Sequence, residues 1–256
     1  MKRLTQTMLA PLALAGALAA GVAAAQSTDI AAMSDAEREA FRAEIRAYLL
    51  ENPEVLIEAI QVLENRQESE QAGQDQELLT SNADELFNDP NSWSGGNPEG
   101  DITIVEFLDY QCGYCKRAFP EVQALMAADA NIRLVVKEFP ILGEASLLAS
   151  QFAVATLQVA GDDAYQKVHD EMMLARGGVN ERLITRLIEE IGLDGEAIRA
   201  QMEGPEVAAV ISANRALGQR MKINGTPSFV FESEMVRGYV PLDAMTQIVA
   251  ELRERG

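Results

Sequence analysis

The sequence predicts an α/β fold in which a βαβ half and a ββα half flank a helical insertion, with a helical stalk in front. Three observations predict it. "ITIVEFLDY" (residues 102–110) and "NIRLVVKEFP" (131–140) are apolar and rich in β-branched side chains, and they enclose a helical pattern over 116–128, so they read as a parallel strand pair joined by a crossover helix. From 144 to 222 the apolar spacing is helical almost throughout, broken at Gly161, Gly177-Gly178, 192–195 and Gly204-Pro205, which gives four or five helices. "PSFVFES" (227–233) and "EMVRGY" (234–239) then read as a hairpin, followed by a closing helix over 241–255.

Taken in chain order, residues 1–25 read as a signal peptide: Lys2 and Arg3 lead into an Ala/Leu-rich stretch that contains Pro11 and ends at Ala23-Ala24-Ala25. The mature chain is expected to start near Gln26 and to be secreted, with the periplasm as its compartment. Residues 26–66 form a segment of two amphipathic helices. Phe41, Ile45, Tyr48 and Leu49 share one face, Leu56, Ile60 and Leu63 continue it, and Asn52-Pro53 is placed to cap and begin the second helix. The following run, "RQESEQAGQDQE", has no large apolar side chain, so 67–85 reads as a polar linker or solvated helix. Apolar stripes held off a main domain need a partner, and a second copy of the chain supplies one. Residues 86–256 then form the catalytic domain, with the insertion at about 144–222.

The formal net charge is −19, and −21 once Lys2 and Arg3 are gone. This balance excludes nucleic acid as a partner on electrostatic grounds.

Cys112 and Cys115 are the only cysteines, in "DYQCGYCKRAF". A closed zinc site needs four Cys or His ligands, and one histidine is all the chain adds. A bridge across two residues closes too small a loop to restrain the unfolded chain. Cu(I), which two thiolates can hold, remains open beside redox chemistry. Redox chemistry gains from position: Cys112 lies where a strand gives way to a helix, and unsatisfied N–H groups there favour its thiolate. Cys115, one turn on, is placed to resolve a mixed disulfide at Cys112. Lys116 and Arg117 read either as local positive charge or as solvated side chains.

"EFLDYQCGYCK", "KEFPILG" (137–143) and "NGTPSF" (224–229), in this order around a helical insertion, resemble the thioredoxin-fold proteins of the DsbA family over roughly 85–256. "EIRAYLLENPEVLIEAIQVLE" (44–64) is similar to the N-terminal helices of the ScsC branch, associated with suppression of copper sensitivity, some members of which trimerise through that segment. The resemblance implies a thioredoxin fold and no cofactor beyond a redox-active Cys112–Cys115 disulfide. It makes Thr226-Pro227 a cis-proline wall that, with Gly113 and Tyr114, meets substrate. It gives Glu106 a proton-transfer role beneath the buried cysteine, with Lys137 expected as its ion-pair partner. His169 reads as a surface or packing histidine, and Met172, Met173, Met202 and Met221 as core filling.

The resulting expectation is a periplasmic protein disulfide isomerase that reshuffles incorrect disulfides in misfolded secreted proteins. A homo-oligomer, a trimer by the resemblance, gathers its sites, and a membrane-bound thiol reductase of the ScsB/DsbD type keeps it reduced. The alternatives are a DsbA-like dithiol oxidase and a copper-binding CxxC protein linked to copper tolerance.

Overall fold

The computed structural model describes residues 32–255; the expected signal peptide lies outside them. The chain divides into two units between Leu63 and Glu64. In the first, helix α1 (Asp35–Glu51) opens on a capping box in which Ser34 and Glu37 bond each other's backbone N–H. Helix α2 begins at Glu54 and runs to Ser81. The second helix was expected to start on an Asn52 N-cap. Instead both the backbone N–H (2.8 Å) and the side-chain amide (2.9 Å) of Asn52 donate to the Tyr48 carbonyl, so Asn52 closes α1. Among the described residues no side chain of α1 is buried.

In the second unit the expected linker over 67–85 is helical, and its latter half belongs to the domain. Asp75 accepts two hydrogen bonds from Arg237, each 2.8 Å, and Leu79 is buried against Val105 and Phe107. Polar composition concealed this because the adjacent Leu78 and Leu79 and one ion pair suffice to dock a helix whose other faces are wet. A short helix, α3 (Ala83–Phe87), adds the fully buried Leu86.

The remaining elements are β1 (Ser94–Gly96), β2 (Ile102–Leu108), α4 (Gly113–Ala128), β3 (Ile132–Glu138), α5 (Glu144–Ala160), α6 (Asp162–Leu174), α7 (Glu181–Ile191), α8 (Gly195–Met202), α9 (Pro205–Arg220), β4 (Ser228–Phe231), β5 (Glu234–Arg237) and α10 (Leu242–Arg255). They form one sheet in the order β1-β3-β2-β4-β5, with β2 and β3 parallel and the outer pairings antiparallel. This is the expected thioredoxin fold with five helices inserted. β2 is buried at every position, as a central strand covered on both faces must be.

Alternation along β2 and β3 separates two cores. Ile104, Leu108, Leu134 and Val136 face α4 and the insertion, whereas Val105, Phe107 and Val135 face α9 and the end of α2. Glu106 is in register with Val136, and Phe107 with Lys137, so Glu106 and Lys137 lie on opposite faces and cannot pair. Lys137 is bonded instead to Asp89 at 2.7 Å. The anticipated Glu106–Lys137 pair is thus replaced by a buried acid on one face and a separate ion pair on the other.

β1 was not anticipated in the turn-rich segment that holds it. Its docking rests on Trp93, buried and stacked on Tyr165 with centroids 5.4 Å apart, and on glycines. A Cβ at Gly95 would meet the Trp93 ring at 2.2 Å, and Gly96 adopts φ +78°.

Candidate active site

Cys112 is the N-cap of α4, with φ −76° and ψ 118°, and its backbone N–H donates to the Asp109 carbonyl at 3.0 Å. Asp109 fastens the turn further. One oxygen accepts from the Gln111 N–H (2.8 Å) and the other from the N–H groups of Ile141 (2.8 Å) and Leu142 (3.1 Å). Both cysteines are free thiols; Cys112 is nearly buried and Cys115 is completely so.

The opposite wall is the Thr226-Pro227 segment, whose peptide bond is cis. The Cys112 Sγ–H donates to the Thr226 carbonyl at 3.1 Å, which brings together residues 114 positions apart. The Thr226 hydroxyl is buried without a hydrogen-bond partner among the described residues. When Cys112 ionises, the carbonyl ceases to be a partner and that hydroxyl is the donor on the same residue.

The two thiols are driven apart in acidity. A hydrogen bond from Cys115, joined by Thr226 and the backbone N–H groups of Cys115 and Tyr114, brings Cys112 down to about 5 against the opposing effect of burial. Burial pushes the Cys115 thiol far up, and the hydrogen bond to Cys112 and the charge of Glu106 act in the same direction. At neutral pH the pair therefore carries one negative charge, on the outer sulfur. Burial, with the charge of Glu138 second, raises the Glu106 carboxyl to about 8. Glu106 is thus mostly a neutral acid at pH 7, electrostatically coupled to Cys115.

Gly113 opens α4 with free space where a Cβ would stand, and Tyr114 is 61 % exposed beside the cysteines. The basic pair after Cys115 divides, Lys116 being half-buried and committed to backbone carbonyls and Arg117 solvent-exposed. The Lys116 ammonium donates to the carbonyls of Met172 (3.1 Å) and Ala175 (2.6 Å), capping the end of α6, and Arg117 lies 4.4 Å over the Tyr239 ring. Met172, Met173, Met202 and Met221 are buried as core.

Sequence reasoning missed a buried polar network around Glu138. Its carboxylate accepts from Tyr165 (2.6 Å), Tyr110 (2.7 Å) and Ser150 (2.7 Å), and the Tyr110 hydroxyl lies 3.0 Å from His169 Nδ1. Burial raises Glu138 to about 7 and lowers His169 to about 4, so the histidine is a neutral packing residue stacked on Tyr165. The available signal was a glutamate at the end of an apolar strand, "RLVVKE".

A sharply asymmetric thiol pair at a helix N-terminus, faced by a cis-proline loop on a thioredoxin fold, defines the dithiol class of thioredoxin-fold proteins. Residues 103–250 match the family described as DSBA-like thioredoxin domain, and residues 37–70 match the Copper resistance protein ScsC N-terminal domain. The chain belongs to the DSBA-like thioredoxin family, a family of thiol-disulfide oxidoreductases.

Among solved structures it is similar to a thioredoxin-like oxidoreductase from Silicibacter pomeroyi (47 % identity, 67 % of this chain and 97 % of that one, TM-score 0.63). It is also similar to Proteus mirabilis ScsC in a transitional conformation (27 % identity, 88 % and 99 %, TM-score 0.63). A curated relative, Na(+)/H(+) antiporter NhaA 1 of Salinispora arenicola, is 26 % identical over 155 residues, 60 % of this chain. The chain spans only 24 % of that antiporter's length.

Proposed function

We propose that the protein is a periplasmic thiol-disulfide isomerase acting on misfolded secreted proteins. The observation that carries the thiol-disulfide exchange at the heart of this reading is the asymmetry of the thiols beside the Thr226 carbonyl. The Cys112 thiolate attacks one sulfur of a client disulfide, forming a mixed disulfide and releasing the other sulfur as a client thiolate. That thiolate then attacks a second client disulfide, whose displaced sulfur returns to expel Cys112, so no net oxidation or reduction occurs.

Where the client stalls, Cys115 attacks Cys112 and frees it as a dithiol, leaving Cys112–Cys115 oxidised. The ionised fraction of Glu106 receives the Cys115 proton in that step. Thr226-Pro227, Gly113 and Tyr114 form the surface that meets the client strand. A membrane-bound thiol reductase of the ScsB/DsbD type restores the dithiol.

Isomerisation rather than oxidation is supported by the N-terminal helices. Their exposed apolar stripe and the ScsC-type match point to association, as a trimer, that gathers several sites around one client. The test is refolding of scrambled ribonuclease by the full chain and by a chain beginning at Glu64, which keeps Asp75 and Leu79. Loss of both oligomeric state and isomerase activity on truncation is expected; unchanged activity would refute the role of the helices.

The oxidase reading is favoured by the acidity of Cys112, since a stabilised thiolate makes the disulfide more oxidising. A resting disulfide in periplasmic extracts and a high potential against glutathione would select it. The copper reading has the name of the 37–70 match behind it, but that segment holds neither Cys nor His. Tight Cu(I) binding at the thiols with no action on scrambled substrate would replace the enzyme reading.

A further inference from the structure

The loop joining α6 to α7 is tied directly to the turn that carries the cysteines. The Gln111 side-chain amide donates to the Val179 carbonyl at 3.0 Å, and the Lys116 ammonium donates to the Ala175 carbonyl at 2.6 Å. Gly178, at φ +72°, lets the loop pass so close that a Cβ there would meet Gln111 Oε1 at 2.5 Å. Residues 111 and 116 bracket Cys112 and Cys115, so this loop is fastened to the redox turn on both sides of the pair.

The loop and the first turns of α7 surround a cavity of about 340 Å³, and Arg176, Arg182 and Arg186 line it. All three are exposed. Among the described residues, Arg176 and Arg182 have no carboxylate at salt-bridge distance. The Arg186 partner, Glu190, is 3.8 Å away with both side chains more than half exposed. The local acid Glu181 is engaged elsewhere, bonded to Arg199 at 2.9 Å. A chain of formal net charge −19 thus gathers three exposed guanidinium groups, two of them without a carboxylate partner among the described residues, around a loop hydrogen-bonded to Gln111 and Lys116 on either side of the cysteines.

We propose that this arginine-lined cavity is a recognition site for acidic polypeptide segments. It selects disulfides flanked by Asp or Glu, whose carboxylates match the planar guanidinium fork. The inference rests on the thiol-disulfide reading of the cysteines and names a substrate class for it. Screening makes the distinction physical. At ordinary ionic strength the Debye length is about 8–10 Å, so an approaching segment responds to the charges around the cavity more than to the distant acidic surface.

Three peptides test it, each with one cysteine capped as a mixed disulfide by a small neutral thiol and flanked by Glu, Lys or Ser. With the reduced full chain at ordinary ionic strength, the Glu peptide is expected to react about tenfold faster than the Lys peptide, with the advantage collapsing at about 1 M salt, where the Debye length falls to about 3 Å. Net charge alone predicts the reverse order, so equal rates or a faster Lys peptide overturn the proposal. Combined Arg176→Gln, Arg182→Gln and Arg186→Gln substitution should abolish or invert the preference while leaving the Ser peptide within about twofold. The matching Arg→Lys set should retain part of it, and a preference that survives the Gln set also refutes the site.

Anisotropy of a labelled, cysteine-free Glu peptide on a Cys112→Ser, Cys115→Ser chain separates the two readings. Binding that is lost in the Gln set, together with failure to refold scrambled ribonuclease, leaves the acidic site standing and removes the isomerase reading. Refolding with no charge preference removes the acidic site alone.

Discussion

Phe41, Ile45, Tyr48, Leu56, Ile60 and Leu63 in the N-terminal helices are 41–55 % exposed, whereas Ile104, Val105, Phe107, Leu108 and Phe229 in the sheet are no more than 1 % exposed. The side chains are of the same kind and equally periodic in sequence. They differ in that the sheet is covered on both faces by helices of its own unit, while the apolar side chains of α1 and the start of α2 stay exposed among the described residues. An amphipathic pattern therefore says that a face will be covered, not what will cover it.

The largest effect that would sharpen this contrast is on stability. Phe107→Ala, which removes a ring packed edge-on against Phe139 at 5.7 Å, should cost about 3–5 kcal/mol in urea unfolding. Ile60→Ala in dilute chain should change it by less than about 0.5 kcal/mol. A large loss at Ile60 under those conditions would break the comparison by revealing a partner within the chain.

Next in size is association. On the proposed association, Ile45→Glu with Ile60→Glu should give a monomer in sedimentation and lower the proposed isomerase activity several-fold, with the alkylation rate of Cys112 unchanged. That rate should rise with pH around a midpoint near 5, following the thiolate.

A third prediction concerns a carboxyl that the domain buries. The folded state holds the Glu106 proton up to about pH 8, whereas the unfolded chain releases it in the ordinary carboxylate range. The resulting stability is complete at acid pH and is lost as pH rises through about 8. Glu106→Gln should remove that component, leaving one of the same sign from Glu138, raised to about 7, and one of the opposite sign from Cys112, lowered to about 5. A variant that declines as steeply as the parent would show that Glu106 is already ionised when folded.

The smallest effect is Asp75→Asn, which weakens the clasp on Arg237 and should cost about 1 kcal/mol, read by urea unfolding and by faster hydrogen exchange in the last turns of α2.

Much of this was legible in the sequence because the signals were local. The strands, the crossover helix, the insertion and the closing helix each carry their own periodicity, and the cysteine pair with its distant Thr-Pro marks two walls of one site. What was hidden depended on register or on distant partners. The side of the sheet that Lys137 faces follows from the pairing of Phe107 with Lys137, which composition cannot give. β1 has only three residues, two of them glycine, and is fixed by Trp93 rather than by any pattern of its own. The roles of Glu138, Tyr110 and Tyr165 required knowing that residues 27 and 28 positions apart converge on one carboxylate.

The sheet ends in very little free margin. Its outermost strands are three and four residues long, one built on Gly95 and Gly96, the other ending in Arg237 under the clasp of Asp75. Unfolded clients carry long sticky strands that seek a backbone edge to extend, and a generous edge here would let the protein be recruited into their aggregates. If the chain acts on misfolded proteins, as proposed, it can thus grip them at the redox cleft while offering almost nothing for them to polymerise upon.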